Sequence, residues 1–243
     1  MTVKTDMPIS GRALDILKIL AAIFMLLDHI DAQLMTRSTG ILYLIGRGAY
    51  PLFAYAAAAS VVRAGVERAP VYARRLLLIA ILIIPITQLA RDQDAGNILF
   101  TLTIGLGIIP WVASMGARGR HIFFVVCLAG IVFPNLFEFG WVGAALPAAF
   151  YLVLKNEAGK GWIWPLLIGL NFGGFYELLA NFSWADAAIL SVIALATLVM
   201  TKLSIYISQQ FPNDQMRLMP KYFLHIFYPA HILALALVGH YLI

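Results

Sequence analysis

"LDILKILAAIFMLLDHIDAQLM", residues 14–35, poses two demands at once. Its first fourteen residues form an apolar run of a length and composition suited to a lipid bilayer. Its end packs Asp28, His29 and Asp31 into four residues. A charged group inside a membrane helix costs at least about 2.5 kcal/mol on insertion scales, so such groups persist where they have a partner or a task.

The rest of the chain has the same character. Of 243 residues, 62% are hydrophobic and only 12% charged. Soluble domains carry about twice that charge fraction. The excess apolar surface calls for lipid as solvent, and unalternating apolar runs call for helices over a barrel. The expected fold is therefore all-α, a single polytopic transmembrane bundle over residues 1–243. A hydropathy window of about 19 residues marks candidate spans at 13–35, 40–62, 72–90, 97–114, 121–136, 139–154, 162–180, 185–203 and 222–242. These make about nine helices; the fifth and sixth are short enough to be a kinked or re-entrant pair. The polar start, MTVKTDMPISGR, leads into the first run with no small-residue cleavage site, so a retained helix is expected, not a signal peptide.

Loop charge orients the bundle. With the N-terminus cytoplasmic, the inner loops hold Lys4, Arg12, Arg63, Arg68, Arg74, Arg75, Arg118 and Arg120, and further on Lys155, Lys160, Lys202, Arg217 and Lys221. The outer loops hold little beyond Arg37 and Arg91. That is the positive-inside pattern, with the C-terminus outside. The formal net charge of +5 then requires no nucleic acid; anionic inner-leaflet lipid is a sufficient partner. The lone Cys127 allows no disulfide within the chain and no paired-cysteine metal site, and reads as a small core residue. Neither HxxxH nor HExxH occurs, so no metal is expected.

Several polar groups fall inside the apolar segments. Asp15 and Lys18 are three apart and share a helical face near the inner end, as a boundary ion pair or as the wall of an inner vestibule. Asp28, His29 and Asp31 fall in the outer third of the first helix, where a carboxylate beside an imidazole raises its basicity. Arg47, in "IGRGAYPLFAY" (45–55), falls at about the same depth and supplies a cation for those carboxylates. Gly46 and Gly48 permit a close approach by another backbone or a ligand. Four arginines, Arg63, Arg68, Arg74 and Arg75, surround one short inner loop; they suit lipid headgroups or a phosphate-rich cytoplasmic cofactor. In "KYFLHIFYPAHILALAL" (221–237), Pro229 is expected to kink the last helix below His231. Asn97 and Glu138 lie near predicted helix ends.

These motifs, in this order, resemble the TraX family: "DILKILAAIFMLLDHID", "IGRGAYPLFAY", "YARRLLLIAIL", "NILFTLTIGL" and "KYFLHIFYPAHILAL". The resemblance spans nearly the whole chain. Its members are polytopic membrane proteins of conjugative plasmids, such as the F-pilin acetylase and TrbP-like proteins. The resemblance implies N-acetylation of a pilin subunit with acetyl-CoA as co-substrate, in the bacterial inner membrane. The family's motif residues fall on Asp15, Lys18, Asp28, His29, Gly46, Arg47, Pro51, Phe53, Arg74, Asn97, Phe227, Tyr228, Pro229 and His231. The chain departs from the family at Asp31, where glycine is frequent, and at Glu138-Phe139-Gly140, where Asp-Tyr-Gly is frequent. The first departure adds a carboxylate to the site and leaves acceptor and reaction open.

Acyl transfer from a thioester to an amine needs a base, charge for the oxyanion, and cations for the CoA phosphates. His29 is expected as the base, oriented by Asp28 or Asp31. Arg47 either braces those carboxylates or stabilises the oxyanion, and His231 is an alternative base or acyl carrier. Arg74, Arg75, Arg63 and Arg68, with Asn97, are expected on the cofactor; Tyr228, Phe53 and Glu138 on the acceptor. Pilin cyclisation, a proton-coupled transporter and an assembly subunit are the competing readings.

Overall fold

Ser10 starts the first helix by accepting a hydrogen bond from the Ala13 N–H on its Oγ at 3.0 Å, a side-chain cap on one of the open N–H groups of the first turn. The structure is a computed structural model, which describes residues 10–35, 41–89, 97–129, 139–155, 184–210, 218–220 and 222–242. The described residues form helices α1 (Gly11–Gln33), α2 (Ile41–Gly46), α3 (Ala49–Ala64), α4 (Ala69–Leu82), α5 (Ile84–Leu89), α6 (Ile98–Ser114), α7 (Ala117–Ala129), α8 (Gly140–Leu154), α9 (Trp184–Gln209) and α10 (Phe223–Leu242). A 3₁₀ turn, Val66–Arg68, joins α3 to α4. There is no strand among the described residues, as the apolar pattern required.

Two of the expected continuous spans are broken. The segment 40–62 divides into α2 and α3 at Arg47-Gly48. Pro51, four residues after Arg47, has no N–H to offer the Arg47 carbonyl, and its ring crowds that carbonyl. The segment 72–90 divides at Ile83, just before Pro85, for the same reason. The span expected at 162–180 lies outside the described residues, as does 130–138, where the fifth and sixth segments meet. Among the described residues no helix is long and apolar enough to cross a membrane.

α3 and α8 form the centre. Tyr50, Leu52, Ala54, Ala56, Ala58 and Val61 of α3 are buried, and so is every residue of α8 from Val142 to Leu152. Small side chains (AYAAAAS in α3, GAALPAA in α8) let neighbours close in from all sides. α3 packs on α1 and α8, α6 packs on α4 and α8, and α1 also meets α2, α9 and α10. The Tyr50 hydroxyl ties α3 to α8 by donating to the Gly143 carbonyl at 2.8 Å.

The crossing of α6 and α8 depends on Gly105. A side chain there would meet the Ala144 carbonyl and the Pro147 ring, both within 2.8 Å. Gly105→Val is expected to lower stability by about 1–3 kcal/mol through overpacking, read as a drop in thermal midpoint. An unchanged midpoint would mean the crossing has slack.

α9 reverses the pattern of a helix on a water-soluble core. Thr197, Thr201, Ser204 and Ser208 are buried, while Ile189, Val192, Leu195, Val199 and Leu203 are exposed. α4 likewise exposes Leu77, Leu78, Ile81 and Leu82, and α7 exposes Ile122, Val125 and Val126.

Candidate functional site

The inward face of α1 runs through Leu14, Leu17, Ala21 and Met25, all buried, and continues into Asp28 and Asp31. Helical spacing of three to four residues puts the two carboxylates on that face. Asp31 is only 1% exposed and Asp28 only 8%, so the polar end of this helix is interior and not a rim in solvent. The break between α2 and α3 brings Arg47 to Asp28, and an Arg47 Nη2 donates to Asp28 Oδ2 at 2.9 Å. Of the two roles open to Arg47, this geometry is that of a brace on the carboxylate. Gly46 is packed directly on the Asp28 side chain, where any Cβ would collide. Asp28 Oδ1 is buried and has no hydrogen-bond partner among the described residues.

α10 approaches α1 at this level and delivers His231. His29 Nδ1 lies 2.7 Å from His231 Nε2, although the residues are 202 positions apart. The two imidazole rings are nearly parallel, at an interplanar angle of 7°, and meet edge to edge through this bond; the Phe227 ring lies nearly parallel to His231, with centroids 4.8 Å apart. The second contact of His231 assigns the protons. Its Nδ1 is 2.9 Å from the Phe227 carbonyl, and a carbonyl only accepts, so Nδ1 carries hydrogen. In neutral His231 the lone pair is then on Nε2. His29 must donate to it from Nδ1, which leaves the His29 lone pair on Nε2. The pair therefore has a direction: His29 presents the basic nitrogen, and His231 fixes its tautomer.

A cavity of about 840 Å³ lies beneath this pair, between α1, α3, α4, α6 and the start of α10. Along α1 it reaches from Gly11 to Met25, about 21 Å of helix. Lys18, Arg63, Arg75 and Asp15 line its lower part, near the start of α1. Phe53, Ile79, Leu99, Leu102 and Leu106 supply apolar wall. Met25 and Tyr228 also line it, each about one turn short of His29 or His231 on its own helix. The Tyr228 ring stands edge-on to His231, with centroids 5.6 Å apart.

Not all of the expected cofactor residues meet this space. All four arginines are exposed, but only Arg63 and Arg75 line the cavity; Arg68 and Arg74 are outside its lining. Successive residues of a helix point about 100° apart, so only one of Arg74 and Arg75 shares the face of Tyr72, Leu76 and Ile79. Asn97 is also outside the lining. It caps α6, accepting from Leu99 N–H on Oδ1 at 3.1 Å, and donates from Nδ2 to the Ala80 carbonyl at 3.4 Å. One end of its side chain caps its own helix and the other ties α6 to α4. Asp15 and Lys18 both face the cavity, and Asp15 Oδ2 also accepts from the Leu218 N–H at 3.1 Å. Glu138 lies outside the described residues. The expected binding set omitted Tyr72 and His225, both in the lining; helical spacing from Arg75 finds the first.

A family model described as TraX protein matches residues 13–239, nearly the whole chain and every helix around this site. The chain belongs to the TraX family. No curated protein and no solved structure matches it. The family match includes α1 and α10 together, so both histidines of the pair fall within the TraX region.

Proposed function

We propose that this TraX-family protein is a membrane-embedded acyltransferase that acetylates the N-terminus of a pilin subunit with acetyl-CoA, in the bacterial inner membrane. The observation that carries the reading is the His29–His231 hydrogen bond of 2.7 Å one turn beyond a deep cavity with cations at its other end. Support for embedding comes from the exposed apolar side chains along α4, α7 and α9, surface that lipid would cover, with the hydroxyl face of α9 turned inward.

The residues fit a thioester donor. Arg63, Arg75 and Lys18 suit the CoA phosphates, and the uncharged shaft above them suits the pantetheine arm. The thioester is then delivered at Met25 and Tyr228. His29 Nε2 takes the proton of the acceptor amine as the nitrogen attacks the acyl carbon. The N–C bond forms and the C–S bond breaks, leaving a thiolate that takes the proton back from the histidine pair. Protonated His29 strengthens its Nδ1–H bond to His231. Arg47 holds Asp28 in place.

The test is reconstitution of the purified protein with pilin and acetyl-CoA, followed by mass spectrometry of the pilin N-terminal peptide. The expected product carries one acetyl group on the α-amine. An unmodified peptide, with acetyl-CoA failing to protect the protein against heat, overturns the proposal. A second reading, a proton-coupled transporter, draws on one observation: the helix break at Arg47-Gly48 beside a buried carboxylate, since transporters place ion sites at such interruptions. Proton-driven uptake in vesicles without CoA would favour it.

A further inference from the structure

His225 belongs to neither the histidine pair nor the arginine group of the inner loop, yet it sits in the cavity wall. Its Nδ1 is buried and has no hydrogen-bond partner among the described residues. A buried polar nitrogen left so is unusual, and marks a place where something else completes the bond. Lys18 and Arg75 are close enough for their charges to act on its ring. Arg63 lies nearby in the same wall, its guanidinium packed over Gly11. Three cationic side chains thus share the lining with one carboxylate, Asp15, whose Oδ2 already receives the Leu218 N–H.

With three cations to one carboxylate the lining carries excess positive charge, which an uncharged ligand does not offset. A fully polar anion, such as a free nucleotide, has no use for the wall of Ile79, Leu99, Leu102 and Leu106. The arrangement calls for an amphiphile, with one anionic end and a less polar arm. Phosphate suits the anionic end, because its oxygens accept simultaneously from guanidinium, ammonium and imidazole donors.

We propose that His225, with Lys18, Arg75 and Arg63, binds a single phosphate ester from which an arm runs up the cavity to Met25 and Tyr228. His225 donates from Nδ1 to one phosphate oxygen while the cations neutralise the charge. The phosphate could head a pantetheine arm or belong to a membrane phospholipid; the two share this chemistry. The identification with pantetheine rests on the acyl-transfer reading, and the phosphate site does not.

The experiment measures binding to the full-length protein in dodecyl maltoside micelles, which hold no phosphate, by titration calorimetry, with 4′-phosphopantetheine and pantetheine as probes. A parallel thermal melt compares micelles with and without added phosphatidylglycerol. Phosphopantetheine is expected to bind more than about tenfold tighter than pantetheine, the effect of a hydrogen bond to a charged group. His225→Gln and Arg75→Gln are each expected to reduce that preference, and Arg74→Gln to leave it unchanged. If instead only phosphatidylglycerol stabilises the protein, and His225→Gln removes that effect, the phosphate site stands and the acyl-donor reading falls. Equal binding of pantetheine and phosphopantetheine to the unsubstituted protein, with no effect of phosphatidylglycerol, overturns the site without relying on any variant.

Discussion

His29→Ala is expected to cut the proposed acetylation of mature pilin severely, read by mass spectrometry of pilin co-expressed with the variant. The expected loss is about 10²–10⁴-fold, the contribution of a positioned general base. It is assigned to His29 because the Phe227 carbonyl holds the His231 proton on Nδ1, which leaves His29 Nε2 as the basic nitrogen of the pair. His231→Ala is expected to do less damage, because it removes the group that fixes the tautomer and keeps the base itself. Acetylated pilin at the normal level with His29→Ala would remove His29 from the mechanism. A greater loss with His231→Ala than with His29→Ala would reverse the direction of the pair.

Arg47→Ala is expected to have the largest effect on stability. The Arg47 and Asp28 side chains are 16% and 11% exposed, respectively, and bonded at 2.9 Å. Removing one partner of a mostly buried pair leaves an uncompensated charge and costs about 3–5 kcal/mol. Replacing both by apolar groups of similar size, Arg47→Met with Asp28→Leu, is expected to recover most of that loss, since neither charge of the pair is then left buried without the other. Thermal melts of the single and double variants check this. The double variant should remain inactive, which separates folding from chemistry. A single variant that melts like the unsubstituted protein would show that Arg47 is no brace.

Much of the candidate site is legible in the sequence. Asp28, His29, Asp31, Arg47 and His231 stood out because ionisable groups in apolar helices are conspicuous. The helix break at Arg47 goes unread in the sequence: the four-residue spacing from Arg47 to Pro51 carries it, but hydropathy averages over such breaks. It therefore drew 40–62 and 72–90 as continuous spans. Asn97 was assigned to the cofactor on its motif position, while its side chain caps α6 and reaches Ala80. Polarity by itself does not distinguish a ligand from a cap. Arg74 and Arg75 were equivalent as letters and became different once the face of α4 was set by its packing on α6.

Composition and periodicity alone established an all-helical chain with ionisable groups at few depths, because both follow from local spacing and from the free energy of placing charge in an apolar medium. Tertiary structure alone decided that His231 meets His29 across 202 residues, that Arg47 turns to Asp28, and that His225 faces the cavity. Those contacts depend on how helices distant in the chain rotate and slide against one another, and no short window of sequence holds that information.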